Sequence, residues 1–189
     1  MQFEPETIVL YPTDTLYGLG VDATNPKAIA RLKELKGRDE RKHISIAVSD
    51  VGMMREYAEV TPLAEKLLHT FLPGKLTIII KPKNLPHELG VGTGEIGVRI
   101  PNHPEALNLI KELGRPITAT SANVSGMEPE GTPEKILRQF GEKAQMITNV
   151  IDAGELPPSE PSTVVDARGA TPIIIREGAI SSQEILEAL

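Results

Sequence analysis

Residues 7–26, TIVLYPTDTLYGLGVDATNP, decide the fold because three local signals follow one another there. Residues 7–11 are an apolar, β-rich run that Pro12 ends, which predicts a buried strand. Residues 13–24 are polar and contain glycine, which predicts a loop. Asn25 and Pro26 form the N-cap and first-turn proline of a helix. Strand, loop and helix in this order indicate an α/β protein.

The same signals recur along the rest of the chain. The first helix repeats Ile29, Leu32 and Leu35 on one face until Gly37 ends it. Further helices are predicted from Thr61-Pro62 to Pro73-Gly74, over 104–113 before Gly114, from Thr132-Pro133 to Gly141, and from the capping box of Ser181 and Glu184 onward. Further strands are predicted at 44–48, 76–81, 96–100, 117–120, 146–151, 163–166 and 173–176.

The last three strands lie too close together for helical crossovers, which need about a dozen residues or more. The sheet is therefore mixed. The fold class we predict is α/β, of the α+β type, with a mixed twisted sheet flanked by helices. A chain of 189 residues is long enough for one domain with a sizeable core, so we expect a single domain over 1–189.

Composition excludes several classes of protein. Zero cysteines rule out a disulfide framework, a thiolate zinc site and a cysteine nucleophile, and they fit a reducing compartment. Residues 1–11 lack the basic and apolar regions of a signal peptide, and no apolar run is long enough to span a bilayer. We therefore expect a soluble, cytoplasmic protein with no membrane contact.

The charge pattern bears on nucleic-acid binding. A net charge of −6 argues against an overall basic surface for a phosphate backbone. One local basic run remains, made of Lys33, Lys36, Arg38, Arg41 and Lys42. Its alternative interpretation is a solvated helix end, where cations lie favourably near the C-terminal dipole.

Common catalytic motifs are weak or missing in the sequence. Gly18 to Ala23 matches the GxGxxG/A dinucleotide fingerprint, but that fingerprint needs its glycines in the strand-to-helix turn, and here the helix begins only at Pro26. The sequence has no GxxxxGK[ST] loop and no HExxH motif, and its four histidines lack ligand spacing. We predict no protein metal site and expect any metal to arrive with phosphates.

Three segments carry residue types that the fold alone does not require. Residues 11–20 crowd hydroxyls and glycines into a loop just past a strand end, although an ordinary turn would use the same residues. Lys36-Gly37-Arg38 places two cations, suited to a triphosphate, around the glycine that ends a helix. Residues 120–126, TSANVSG, offer small polar donors immediately after a strand.

Together these segments resemble the YrdC-like L-threonylcarbamoyladenylate synthases along nearly the whole chain, from about Thr7 to Ser181. The most diagnostic pieces are KxR at Lys36 and Arg38 and SxN at Ser121 and Asn123. The matching blocks, in order, are YPTDTLYGLGVDA, KGR, SIAVSD, PGKLTIII, IGVRIPNHP, TATSANVSG, PSTVVD and IIREGAIS.

The resemblance implies a role for each matching residue. Lys36 and Arg38 would hold the nucleotide phosphates and act in catalysis. Threonine would be bound by Thr13, Thr15, Tyr17 and Ser162. The nucleotide would be bound by Lys36, Arg38, Arg99, Ser121, Asn123, Thr132 and Arg176. The alternatives are that Arg99 and Arg176 merely reach solvent from strand ends, and that Ser162 caps a turn.

The resemblance also implies a reaction and its partners. L-threonine, bicarbonate and ATP, with Mg²⁺, would give threonylcarbamoyl-AMP and pyrophosphate, and a tRNA threonylcarbamoyl transferase would take the product. After KGR the family often has a proline and then Asn-Pro or Lys-Pro, whereas this chain reads DERKH at 39–43. Lys42 is therefore only an additional candidate for a phosphate contact. The extra C-terminal domain of longer members is not expected here.

Two other functions remain open from the sequence. One is a module of the same fold that binds double-stranded RNA or tRNA, weakly in view of the net charge, which would leave the PTDT and SAN blocks without a purpose. The other is a fold relative that binds or hydrolyses nucleotides without making the threonyl product. The sequence separates the second from the synthase poorly, because both would share the ATP residues.

Overall fold

The computed structural model describes residues 4, 6–39 and 42–189, so Arg41 of the basic run lies outside the described residues. The helices are α1 Pro26–Lys36, α2 Val51–Tyr57, α3 Pro62–Phe71, α4 Pro104–Leu113, α5 Pro133–Phe140 and α6 Ser182–Glu187. The strands are β1 Val9–Tyr11, β2 Gly18–Gly20, β3 Ser45–Ala47, β4 Ala58–Glu59, β5 Leu76–Pro82, β6 Ile96–Arg99, β7 Ile117–Ser121, β8 Asn149–Val150, β9 Thr163–Asp166 and β10 Ile173–Arg176.

Over the described ranges the strands form one sheet in the order β10-β9-β5-β6-β3-β7-β2-β1-β8, with β4 added beside β5. Three pairs are parallel, β1 with β8, β3 with β6 and β5 with β9. Their neighbours are antiparallel, which confirms the predicted mixed sheet. The last three predicted strands are not all adjacent, however, because β8 lies at one edge and β9 and β10 at the other.

Local capping sets the helix ends. The Asn25 side chain accepts hydrogen bonds from two backbone N–H groups of α1, and Gly37 ends that helix in the left-handed region at φ 60°. The predicted capping box of Ser181 and Glu184 opens α6. These ends confirm the predicted helices. No helix within the described part of the chain has the length and apolar character needed to cross a membrane.

Alternation along β1 separates the two faces of the sheet. Ile8 and Leu10 point into the larger core, where α1, α3, α5 and α6 pack. Val9 and Tyr11 point to the opposite face, beneath Ala106, Leu109 and Ile110 of α4. Apolar residues therefore cover less of the second face than of the first, and the uncovered part of the second face can form a pocket.

The prediction that residues 13–24 form only a loop is wrong in part. Gly18–Gly20 is strand β2, antiparallel to β1. A Cβ atom on Gly18 or Gly20 would lie 2.9 Å from the Tyr11 ring, so close packing requires glycine at both positions. Glycine has low strand propensity, which concealed β2 in the sequence. Because these glycines lie in a strand, they cannot form the dinucleotide-binding turn.

Candidate substrate-binding site

A pocket of about 280 Å³ opens on the second face of the sheet. Small residues from three neighbouring strands line it, among them Gly18 of β2, Ser45 and Ala47 of β3, and Ala119 of β7. Eight of the predicted site residues line it: Thr13, Thr15, Tyr17, Arg38, Arg99, Ser121, Ser162 and Arg176. The fold therefore brings together side chains from segments far apart in sequence.

The turn after β1 organises one wall of the pocket. The Thr13 hydroxyl donates to the Leu16 carbonyl at 2.7 Å and accepts from the backbone N–H of Thr15 at 3.1 Å. The two threonine hydroxyls lie 3.1 Å apart. This is the local side-chain to backbone bonding expected of a turn, and it also fixes both hydroxyls at the pocket.

Arg99 is held at the same wall by a buried ion pair. Its Nη2 donates to Asp14 Oδ1 at 2.6 Å and its Nη1 donates to Thr15 Oγ1 at 3.2 Å. Arg99 is only 8% exposed, which excludes the alternative that it merely reaches solvent from the end of β6. A fixed, paired guanidinium at a pocket wall is suited to binding an anion.

Arg176, at the end of β10, supplies a second guanidinium to the pocket lining. Its Nη2 donates to the Ser162 carbonyl at 2.6 Å, and Ser162 Oγ lies 2.9 Å from Thr77 Oγ1. Burial, and then the positive charge of Arg99, lower the pKa of Arg176. The charge of Arg99 therefore disfavours a second cation at Arg176, and an anionic ligand in the cavity would relieve this repulsion.

Lys36 lies beside the pocket and does not line it. Its Nζ donates to the backbone carbonyls of Ser121 and Asn123, the latter at 2.7 Å, and to Asn123 Oδ1 at 3.4 Å. Burial, and then the charge of Arg38, lower the pKa of Lys36 to about 7. Lys36 therefore fastens the C-terminal end of α1 to the segment after β7, and its predicted phosphate contact stays a prediction.

Arg38 extends from the loop after α1 into the pocket lining. Its Nη2 donates to the His43 carbonyl at 2.6 Å, and burial lowers the pKa of Arg38. The adjacent Lys42 is exposed, and its backbone N–H donates to the Asp39 carbonyl at 3.0 Å. The structure thus places Arg38, but not Lys42, among the residues that line the cavity.

Two further predicted nucleotide residues lie outside the lining. Asn123 accepts from Ser121 Oγ at 2.5 Å and its Nδ2 donates to the carbonyls of Val124 and Met127, which orders the loop after β7. Thr132 is the N-cap of α5, where its side chain accepts from the backbone N–H of Lys135. Both side chains have structural partners, and their contact with a nucleotide stays a prediction.

Tyr17 lines the pocket, and its hydroxyl bonds to the backbone of another segment. That hydroxyl donates to the Gly154 carbonyl at 2.8 Å and accepts from the Ala153 N–H at 2.9 Å. Burial raises the pKa of Tyr17. The residue therefore ties the long connection after β8 to the rim of the site.

Among the lining residues that the sequence interpretation missed, three are polar, Ser45, His43 and Thr77. Thr77 carries a signal that could have identified it. Leu76, Ile78 and Ile80 belong to the larger core, so the buried threonine between them must point to the opposite face. His43 has no such signal, because it lies outside the regular strand.

Fold and site define an α/β protein whose mixed sheet carries a polar, cationic pocket on its less covered face. The family model for Sua5, YciO and YrdC, described as telomere recombination, matches residues 2–178. The chain belongs to this family, which confirms the resemblance found in the sequence.

Individual relatives agree with the family match. A Methanocaldococcus jannaschii protein, provisionally named a threonylcarbamoyl-AMP synthase, is 40% identical over 179 residues, which are 94% of this chain and 83% of that protein. The Pyrococcus abyssi Sua5 structure complexed with L-threonine is 33% identical with a TM-score of 0.90, and the match covers 97% of this chain. The chain spans about half of that Sua5 chain, 54%. Escherichia coli YciO has a TM-score of 0.83 at 28% identity, over 95% of this chain and 86% of its own.

Proposed function

We propose that this protein is an L-threonylcarbamoyladenylate synthase, which makes threonylcarbamoyl-AMP and pyrophosphate from L-threonine, bicarbonate and ATP for tRNA modification. The observation that carries the proposal is one pocket that gathers Arg38, Arg99 and Arg176 together with the hydroxyls of Thr13, Thr15, Ser121 and Ser162. Relatives named as threonylcarbamoyl-AMP synthases, and a Sua5 complexed with L-threonine, support the same reaction.

The proposed chemistry is the activation of a carboxylate on phosphorus. The protonated amine of threonine reacts with bicarbonate to give N-carboxythreonine, and one water and one proton are released. Its carboxylate oxygen then attacks the α-phosphorus of ATP, and pyrophosphate leaves with the electrons of the broken P–O bond. Cations aimed at phosphoryl oxygens stabilise this transition state, so no protein nucleophile is required.

The cationic lining divides into two sides that suit two kinds of anion. Arg99 and the paired threonines form one wall, which suits the amino-acid carboxylate, so we propose this role for Arg99 in place of the nucleotide contact that the resemblance implies. Arg38, together with the neighbouring Lys36, suits the phosphates. Substrate binding then neutralises the guanidinium groups of Arg38 and Arg176, whose charged forms are disfavoured by burial and, for Arg176, also by the charge of Arg99.

Mg²⁺ fits this proposal as a companion of the nucleotide. No group of three or more His, Asp or Glu residues that could hold a metal ion occurs in the described ranges. The triphosphate oxygens would therefore hold the ion, as is common for Mg²⁺, and the ion would neutralise phosphate charge. The protein residues would contact the phosphates directly.

Pyrophosphate release tests the proposal. We expect ATP to yield AMP and pyrophosphate only when threonine, bicarbonate and Mg²⁺ are all present, because the attacking carboxylate does not exist before the amine is carboxylated. Serine as good a substrate as threonine, or ADP as the product, would show that the assigned reaction is wrong.

A matched pair of arginine variants links that activity to the pocket. Arg38→Lys keeps the charge but loses the planar fork, so we expect turnover to fall by roughly tenfold or more. Arg138→Lys is the control, because Arg138 is an exposed arginine on α5 that pairs with Glu134. Equal kinetics in the two variants would remove Arg38 from the proposed site.

A further inference from the structure

A row of charged residues crosses one end of the sheet next to the pocket. The parallel register that pairs Ile46 with Val98 places His43 beside Glu95, three residues earlier on each chain segment. The registers of β5 with β6 and of β5 with β9 extend this row to Arg168. These residues therefore meet at one end of the sheet although they lie far apart in sequence.

Both carboxylate oxygens of Glu95 are used within this row. His43 Nδ1 lies 3.0 Å from Glu95 Oε1, and Arg168 Nη1 lies 3.0 Å from Glu95 Oε2. Arg168 is itself held by Asp166 through its Nε at 3.0 Å and its Nη2 at 2.6 Å. Glu95 is thus fixed from one side and holds His43 on the other.

His43 in turn determines the position of Arg38. Its backbone carbonyl accepts the 2.6 Å hydrogen bond from Arg38 Nη2. Arg38 Nε is buried and has no hydrogen-bond partner among the described residues, so that carbonyl is a principal anchor of the guanidinium. Gly90, at φ +86°, packs so closely that a Cβ there would lie 2.9 Å from the Cα of His43, which confines the same backbone.

We propose that Glu95 is a positioning residue for Arg38, acting through the side chain and then the backbone carbonyl of His43. This inference rests on the proposed function, because it assigns Glu95 an effect on the phosphate side of the same site. Loss of the Glu95 carboxylate would release the segment that carries His43, and the guanidinium of Arg38 would then sample several orientations. A displaced Arg38 guanidinium weakens ATP binding, and its effect on the chemical step after binding is smaller.

Glu95→Gln tests the proposal, with Glu134→Gln as the matched control. Both replace an acid that pairs with an arginine, but Glu134 is an exposed residue of α5 away from the pocket lining. For Glu95→Gln we expect the dissociation constant and KM for ATP to rise roughly twofold to fivefold, as for the loss of partly exposed ion pairs, while kcat changes less. Glu95→Asp should recover part of the loss, and Glu134→Gln should bind ATP like the parent.

A double-mutant cycle separates positioning from general destabilisation. In an Arg38→Lys background the Glu95 substitution should have little further effect on ATP binding, because the fork that it positions is already lost. Independent, additive losses would overturn the proposal, as would unchanged ATP binding in Glu95→Gln.

A spectroscopic readout keeps this inference distinct from the proposed function. The Nε–H resonance of Arg38, measured by NMR without any substrate, should shift in Glu95→Gln and remain unchanged in Glu134→Gln. If the parent bound no ATP but the resonance shifted, the proposed function would fail while the positioning role stood. An unchanged resonance would refute the positioning role whatever the parent binds.

Discussion

Lys36 is a titratable residue that is almost completely buried, with only 1% of it exposed. Removal from water disfavours its charged form, which is why the pKa falls from an ordinary 10.5 to about 7. Three protein oxygens surround the amine and favour its protonated form, yet they only partly offset that loss of solvation. The charge state of this residue therefore changes within the ordinary working range of pH.

This shift predicts a pH dependence of folding. Between about pH 7 and pH 10.5 the unfolded chain binds a proton at Lys36 that the folded chain has released. The free energy of unfolding should therefore rise with pH across this window, by up to about 1.4 kcal/mol per pH unit for one group. Urea denaturation at pH 7, 8 and 9 measures this slope.

Two lysine variants isolate the effect. Lys36→Met should remove the rise between pH 7 and pH 9, while Lys27→Met, an exposed position on the same helix, should retain it. The same slope in the parent and in Lys36→Met would contradict the assignment.

At the level of elements, the connection between β8 and β9 spans an unusually long distance across the sheet. Residues 151–162, here called the strap, join two strands that are seven places apart in the sheet order. Seven spacings of about 4.8 Å amount to roughly 34 Å along the sheet, and a fully extended chain of this length reaches roughly 43 Å. The strap therefore has little slack, and Tyr17 fastens it near one end.

Tyr17→Phe should loosen the strap. The variant keeps the buried ring but loses both hydrogen bonds to residues 153 and 154, at a cost of about 1 kcal/mol in stability. We expect faster amide exchange at residue 153 and weaker threonine binding. Tyr57→Phe, a half-buried tyrosine of α2 outside the pocket lining, is the control. Unchanged exchange in Tyr17→Phe would mean that other contacts hold the strap.

Elements with local signals could be predicted from the sequence, and elements that depend on distant partners could not. The bounds of α1 and α4 follow from caps and prolines within the helices themselves. In contrast, β2 needs its glycines because of the Tyr11 ring on another strand, and α2 buries only Met54, too little for a visible period. The connection from Glu95 through His43 to Arg38 could not be predicted either, because it depends on the register between β3 and β6.

The whole molecule has a net charge of −6, and the described residues of its basic run do not form a basic surface. Lys33 and Lys36 are both buried, at 5% and 1% exposure, and Arg38 faces the pocket. Binding to a nucleic-acid backbone requires several exposed cations, because affinity comes from the release of counterions from phosphates. Most of the described cations of this run are unavailable for that purpose.

We therefore expect weak binding of duplex RNA that depends only slightly on salt. A surface that neutralises several phosphates would make log K fall with log salt by roughly 0.7 to 0.9 per phosphate, whereas a pocket for one triphosphate has no such array. ATP and RNA binding should be measured for the parent and for Lys36→Ala over a salt series. The substitution should weaken ATP binding strongly and leave RNA binding almost unchanged. Tight, steeply salt-dependent RNA binding without detectable ATP binding in the parent would favour the RNA-binding module over the enzyme.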